Sequence, residues 1–99
     1  MAVAVLMDCR GVTLEQYNQA MESGGFLPGG PLPPEGLFHW VTKTDDGILI
    51  VNVWESRKGF ETFLNERVAP LAREVGVVEP PVIEIFEVHN YLFGARRRC

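Results

Sequence analysis

Apolar and polar positions alternate along the chain with two different periods, and the changes of period mark out its elements. Ala2 to Asp8 is almost wholly apolar, which predicts a short strand buried on both faces and central in its sheet. Thr13-Leu14-Glu15-Gln16 has the capping-box pattern, and Leu14, Tyr17 and Met21 follow at helical spacing until Gly24-Gly25 ends the run. Gly24 to Gly36 is too rich in Gly and Pro for helix or strand, and is longer than most connections in a compact domain. From Phe38 to Trp54 the period is two, predicting two strands joined by Asp46-Gly47 as a two-residue turn. A second helix starts after Ser56, where Phe60, Phe63, Leu64, Val68, Leu71, Ala72 and Val75 recur at steps of one buried helical face. Pro70 lies inside that run and predicts a kink or a break near Ala69, because it lacks an N–H and crowds the preceding turn. Val82 to Tyr91 reads as the last strand.

The order βαββαβ predicts a ferredoxin-like α+β fold, two helices on one face of a four-stranded antiparallel sheet. A two-residue hairpin sorts its side chains by parity. One face holds Phe38, Trp40, Thr42, Leu49, Val51 and Val53, a set suited to lie beneath the helices. The other holds His39, Val41, Lys43, Ile50, Asn52 and Trp54, and nothing remains in the chain to cover it. A large apolar face left in water marks an interface. The expected partner is a second copy, its sheet facing the first and enclosing an interior fit for a small hydrophobic ligand.

A length of 99 residues suits one core, expected over residues 1–93 with 94–99 as a basic tail. With 46% hydrophobic and 22% charged residues the chain is neither disordered nor a disulfide scaffold. The net charge of −4 argues against a nucleic-acid partner, and the one basic cluster, Arg96-Arg97-Arg98, reads as a solvated tail. Cys9 and Cys99 match no metal or redox motif. No apolar run reaches the roughly 20 residues of a membrane span, and the first residues lack the pattern of a signal peptide. The expectation is a cytoplasmic protein with no membrane partner.

Few side chains carry chemistry. His39 is a candidate general base for a phenolic substrate, histidine being the side chain that most often moves protons in catalysis; the competing reading is a histidine satisfied by a neighbouring group. Asn52, in a strand of Ile, Leu and Val, needs partners if buried, either a ligand that it polarises or His39 itself. Trp54, Ile50 and Val41 are candidate ligand-contacting walls, although a tryptophan also packs in cores and interfaces. Tyr17, His89 and Phe26 complete the candidate set. The face of the last strand that carries His89 is left open, and Phe26 lies in the Gly/Pro-rich segment, expected to border the ligand entrance as a lid or an arm onto the partner, or else to be a static flap. No metal site is expected, since the two histidines lack a paired spacing, and no phosphate-binding loop opens a helix.

The run Thr44-Asp45-Asp46-Gly47, then Val53-Trp54-Glu55-Ser56, Phe60, Phe63 and Glu66-Arg67 leading to Pro70, and finally Val88-His89-Asn90, resemble the small dimeric α+β-barrel proteins. These are relatives of the antibiotic-biosynthesis monooxygenase domain, and the resemblance spans Val3 to Tyr91. It implies a homodimer with small-molecule pockets between sheet and helices or inside the barrel. It does not imply one chemistry, because members range from cofactor-independent monooxygenases to haem-degrading and dismutase-like enzymes and proteins with no known activity. The haem-degrading branch ligates iron through a histidine of the second helix; none occurs there in this chain, so no cofactor is expected. Two readings follow: a monooxygenase-like enzyme with His39 as base, Asn52 as polarising donor and Trp54 as wall, or a non-catalytic dimer that binds a ligand or is filled by its own side chains.

Overall fold

The computed structural model describes residues 1–92, so Cys99 and the expected basic tail lie outside the described residues. The elements are β1 (Val3–Arg10), α1 (Leu14–Gly24), β2 (Gly36–Thr44), β3 (Gly47–Trp54), α2 (Arg57–Phe63) continuing through a π-helical turn (Leu64–Val68) into α3 (Ala69–Glu74), and β4 (Val82–Glu87). The strands form one antiparallel sheet in the order β2-β3-β1-β4, the ferredoxin-like α+β arrangement. No helix among the described residues is long and apolar enough to cross a membrane.

Local chemistry sets the element ends. Thr13 caps α1 by accepting from the Gln16 backbone N–H, and Gln16 Oε1 accepts the Thr13 backbone N–H in return, both at 3.0 Å. The helix stops at Gly25, whose φ of 81° is the left-handed conformation that closes helices. Ser56 caps α2 by accepting from Gly59 N–H. Pro70 does not break the helix: Ala69 N–H bonds to Leu64 O five residues back, and the wider turn makes room for the proline ring as α3 begins.

The core lies between the sheet and the helices. It is built from Val3, Val5, Met7 and Cys9 of β1, Ile48 and Trp54 of β3, and Phe60 of α2, with Tyr17, Val41, Ile50, Phe63, Leu64, Ile83 and Ile85 packed against it. Burying a Trp54 or a Phe60 contributes about 1.5–3 kcal/mol each.

Four expectations need correction. The hairpin faces are sorted as parity requires, with His39 opposite Asn52 and Trp40 opposite Val51, but their sides are exchanged. The helices cover His39, Val41, Ile50, Asn52 and Trp54; the open face carries Phe38 and Trp40, 54% and 41% exposed, beside half-buried Leu49, Val51 and Val53. Both β1 faces are apolar, but only the odd-numbered one is buried, while Ala4, Leu6 and Asp8 are half-buried on the open side. The turn residues are Asp45-Asp46, and Gly47 already pairs with Thr44. Gly47 is needed because a Cβ there would strike the carbonyl oxygen of Cys9 on β1, rather than for a positive φ. Last, β4 ends at Glu87, leaving His89 and Asn90 exposed in coil beyond it.

Candidate functional site

Three elements bring polar groups together in the helix–sheet layer. The β2–β3 register sets His39 directly across from Asn52. The capped α1, tied to the helix after it by Gln16 Nε2 donating to Val75 O at 3.1 Å, brings Tyr17 over the same spot. His39 Nδ1 lies 2.7 Å from Asn52 Oδ1, and Tyr17 Oη lies 2.5 Å from His39 Nε2. The Tyr17 and His39 rings are nearly parallel, 14° apart with centroids at 6.0 Å.

Proton positions follow from the partners. Asn52 is 5% exposed and directs Nδ2 at Met7 Sδ, 3.8 Å away; a thioether only accepts, so the amide nitrogen belongs on that side and Oδ1 faces the imidazole. His39 Nδ1 therefore carries hydrogen and donates to Asn52. In the neutral ring Nε2 is then an acceptor, and the Tyr17 hydroxyl donates to it. Burial pushes the Tyr17 phenol above its ordinary value of 10.0, so it holds its proton across neutral pH. The arrangement is a histidine of fixed tautomer with a phenol hydroxyl on its accepting nitrogen.

Beside this chain lies an aromatic wall. Trp54, 1% exposed, packs 5.1 Å from Phe63 and 6.0 Å from Phe60, and Phe26 meets Phe63 edge-on at 5.9 Å and 79°. Trp54 Nε1–H is buried without a hydrogen-bond partner. Val41 and Ile50 pair across the strands next to His39 and Asn52 in the same layer. The structure thus gathers Tyr17, His39, Val41, Ile50, Asn52 and Trp54, and brings Phe26 against the wall through Phe63. It leaves His89 outside, exposed past the end of β4.

Of the two partners expected for Asn52, the structure shows His39, and the other end of the amide meets Met7 Sδ. Met7 sits in an almost wholly apolar run that gives no sign of its partner, and Arg67 stands out in the sequence only within the Glu66-Arg67 pair of the family resemblance. Two shallow depressions lie elsewhere, one on the open face among Leu6, Asp8, Leu49, Val82 and Glu84, the other between Val12, Gln16 and Val77. Among the described residues no group of three His, Cys, Asp or Glu is placed to hold a metal ion.

No family model and no curated protein matches the sequence. Solved structures do match the fold. A putative antibiotic biosynthesis monooxygenase from Chloroflexus aurantiacus superposes with a TM-score of 0.66 at 15% identity, covering 95% of this chain and 100% of the other. SnoaB, a cofactor-independent oxygenase from Streptomyces nogalater, superposes with a TM-score of 0.57 at 15% identity over 92% and 94% of the two chains. A monooxygenase from the gene ActVA-Orf6 of Streptomyces coelicolor, in complex with nanaomycin D, gives a TM-score of 0.50 at 18% identity over 95% and 92%. Across nearly its whole described length, this chain has the fold of the antibiotic biosynthesis monooxygenase structures.

Proposed function

We propose that the protein is a cofactor-independent, monooxygenase-like enzyme that binds a flat hydrophobic aromatic molecule in the helix–sheet layer. The observation that carries the reading is the Tyr17–His39–Asn52 chain, a base with one defined accepting nitrogen and a phenol relay in contact with it. The neighbours' descriptions, a cofactor-independent oxygenase and a monooxygenase in complex with a ligand, support it by analogy of fold.

In this mechanism an acidic ring C–H or phenolic O–H of the substrate gives its proton to Tyr17 Oη while Tyr17 passes its own to His39 Nε2. The Nδ1–H stays on Asn52 Oδ1, which stabilises the imidazolium that forms. The resulting electron-rich anion reacts with dioxygen at a ring carbon to give a peroxide, and His39 returns the proton as the O–O bond breaks. Where that carbon begins as a methylene, the methylene and one dioxygen become a carbonyl and one water. Both C–H bonds and the O–O bond break, and the substrate supplies every electron. Trp54 Nε1–H is free to hydrogen-bond a substrate oxygen.

The open sheet face supports a homodimer as the working unit. It presents Phe38, Trp40, Val82 and Phe86, each at least 41% exposed, on one side of the sheet. A buried, free Cys9 fits the reducing cytoplasm as its setting.

The second reading, a non-catalytic dimer, draws on Phe60, Phe63 and Phe26 already filling the space beside Trp54. Oxygen uptake separates the two. With a panel of anthrone-, naphthol- and hydroquinone-type compounds, uptake by the wild type should fall about 10²–10⁴-fold in His39→Ala. Uptake no faster than the uncatalysed background for every compound, with no ligand retained in native mass spectrometry of protein from its own host, would leave the non-catalytic reading standing.

A further inference from the structure

The segment between α1 and β2 is pinned at both ends and loose between them. At its start Phe26 N–H bonds to Met21 O and its ring lies against Phe63. Arg67 crosses over this corner, with its guanidinium 5.4 Å above the Phe26 ring and Nη2 donating to Gly24 O at 3.0 Å. At the far end Glu35 takes a left-handed φ of 70°, unusual for a residue with a side chain. It is held there because its carbonyl accepts from Glu55 N–H and its carboxylate accepts from the Ser56 hydroxyl, both at 2.8 Å. Between these anchors the backbone bonds are local, Gly30 N–H to Leu27 O and Gly36 N–H to Pro33 O, and Leu27 is 74% exposed.

Beneath Phe26 and Phe63 one polar group of the layer is left unsatisfied. Trp54 is 1% exposed, yet its indole N–H has no acceptor, which is rare in a native interior and is repaired when a ligand supplies one. Phe63 is the link between that indole and the corner that Arg67 clamps, touching Trp54 on one side and Phe26 on the other. An exposed cation–π contact and one exposed hydrogen bond are a weak clamp.

We propose that residues 25–35 are a lid, with Phe26 as its plug and Arg67 as its latch, which opens locally to admit an aromatic ligand to Trp54. The inference rests on reading the layer as a ligand chamber, but its test needs no ligand. The Trp54 indole N–H is protected by burial alone, so its hydrogen exchange, followed by NMR, reports how often the lid opens. The amide of Val5, a fully buried residue on a central strand, reports global unfolding in the same sample. In Arg67→Ala the indole should exchange about two- to fivefold faster, the worth of one exposed cation–π contact, with the Val5 amide unchanged. Arg67→Lys, which keeps the charge but not the planar stack, should fall between wild type and Ala. Unchanged indole exchange in both variants would overturn the proposal. So would indole and Val5 rates that rise by the same factor, the sign of a static flap whose loss loosens the whole domain. Turnover is measured separately: a chain that never consumes oxygen but shows the selective indole acceleration has a lid and lacks the proposed chemistry.

Discussion

The two faces of the sheet invert the usual expectation about what belongs inside. The face under the helices carries a histidine, an asparagine and a tryptophan with a free N–H, whereas the open face of the hairpin carries Phe38, Trp40, Leu49, Val51 and Val53 with two threonines, Thr42 and Thr44. Hydrophobicity alone assigns these faces the wrong way round. What decides is whether polar groups find partners: His39 and Asn52 satisfy each other across the hairpin and Tyr17 closes the set from α1, so their burial costs little. The open face offers mostly apolar surface, with Asp8 and Glu84 among its few charges, and that suits another protein surface rather than water.

The two tryptophans, one on each face, should respond to substitution in opposite ways. Trp54→Ala removes a side chain packed on Phe60 and Phe63 and should cost about 3–5 kcal/mol in chemical denaturation. Trp40→Glu places a charge on the exposed face and should leave a folded chain with unfolding free energy within about 1 kcal/mol of the wild-type protomer. It should instead convert a dimer into an 11.1 kDa species in sedimentation. A Trp40→Glu protein that stays dimeric moves the interface off this face, and a wild-type chain that sediments as a monomer at micromolar concentration removes the dimer altogether.

A second prediction uses the covered face and pH. Burial, with Asp8 beside it, pushes the Cys9 thiol from 9.0 up to about 11. The folded state therefore holds this proton over a window where the unfolded chain has released it. Stability linked to Cys9 is fully present below pH 9 and is lost as pH rises through about 11, by on the order of 1–3 kcal/mol. Tyr17, also raised by burial, adds to the loss at the alkaline end. Cys9→Ala lowers stability at every pH by the cavity it leaves but should flatten the slope between pH 9 and 11. An unchanged slope would place the alkaline sensitivity elsewhere.

Gly47 offers a smaller test at the rim shared by both faces. Because a Cβ there meets the Cys9 carbonyl, Gly47→Ala must push the hairpin away from β1 and should cost about 1–3 kcal/mol by denaturation. A neutral effect would mean that the hairpin end yields more easily than its pairing with Arg10 suggests.

Most of the architecture was legible because it rests on local chemistry. The Thr13–Gln16 capping box forms both of its hydrogen bonds, Gly25 closes α1, and the βαββαβ order yields the expected sheet. Parity placed His39 and Asn52 on one face correctly, since a two-residue slip of register at the turn keeps each side chain on its side. Which side the helices take was not legible, because it depends on partners remote in sequence: Tyr17 is 22 residues from His39, and Asn52 is 45 from Met7. The latch was hidden for the same reason, as Arg67 is 43 residues from the Gly24 carbonyl it binds.

Pro70 closes the comparison, since the helix run that roofs the covered face carries a residue that ordinarily ends helices. A proline in a helix interior costs about 3 kcal/mol or more, from a lost hydrogen bond and a clash with the carbonyl four residues back. Here the turn before it is widened, with Ala69 N–H reaching Leu64 O, so the clash is largely relieved in the native state. Replacing Pro70 with Ala restores an N–H but also frees the unfolded chain, which offsets about 0.4–1 kcal/mol of any gain. The two effects oppose each other, and Pro70→Ala should leave the unfolding free energy within about 1 kcal/mol of wild type. A gain approaching 3 kcal/mol would show that the wide turn relieves little and that Leu64–Val68 takes its shape for a reason other than the proline.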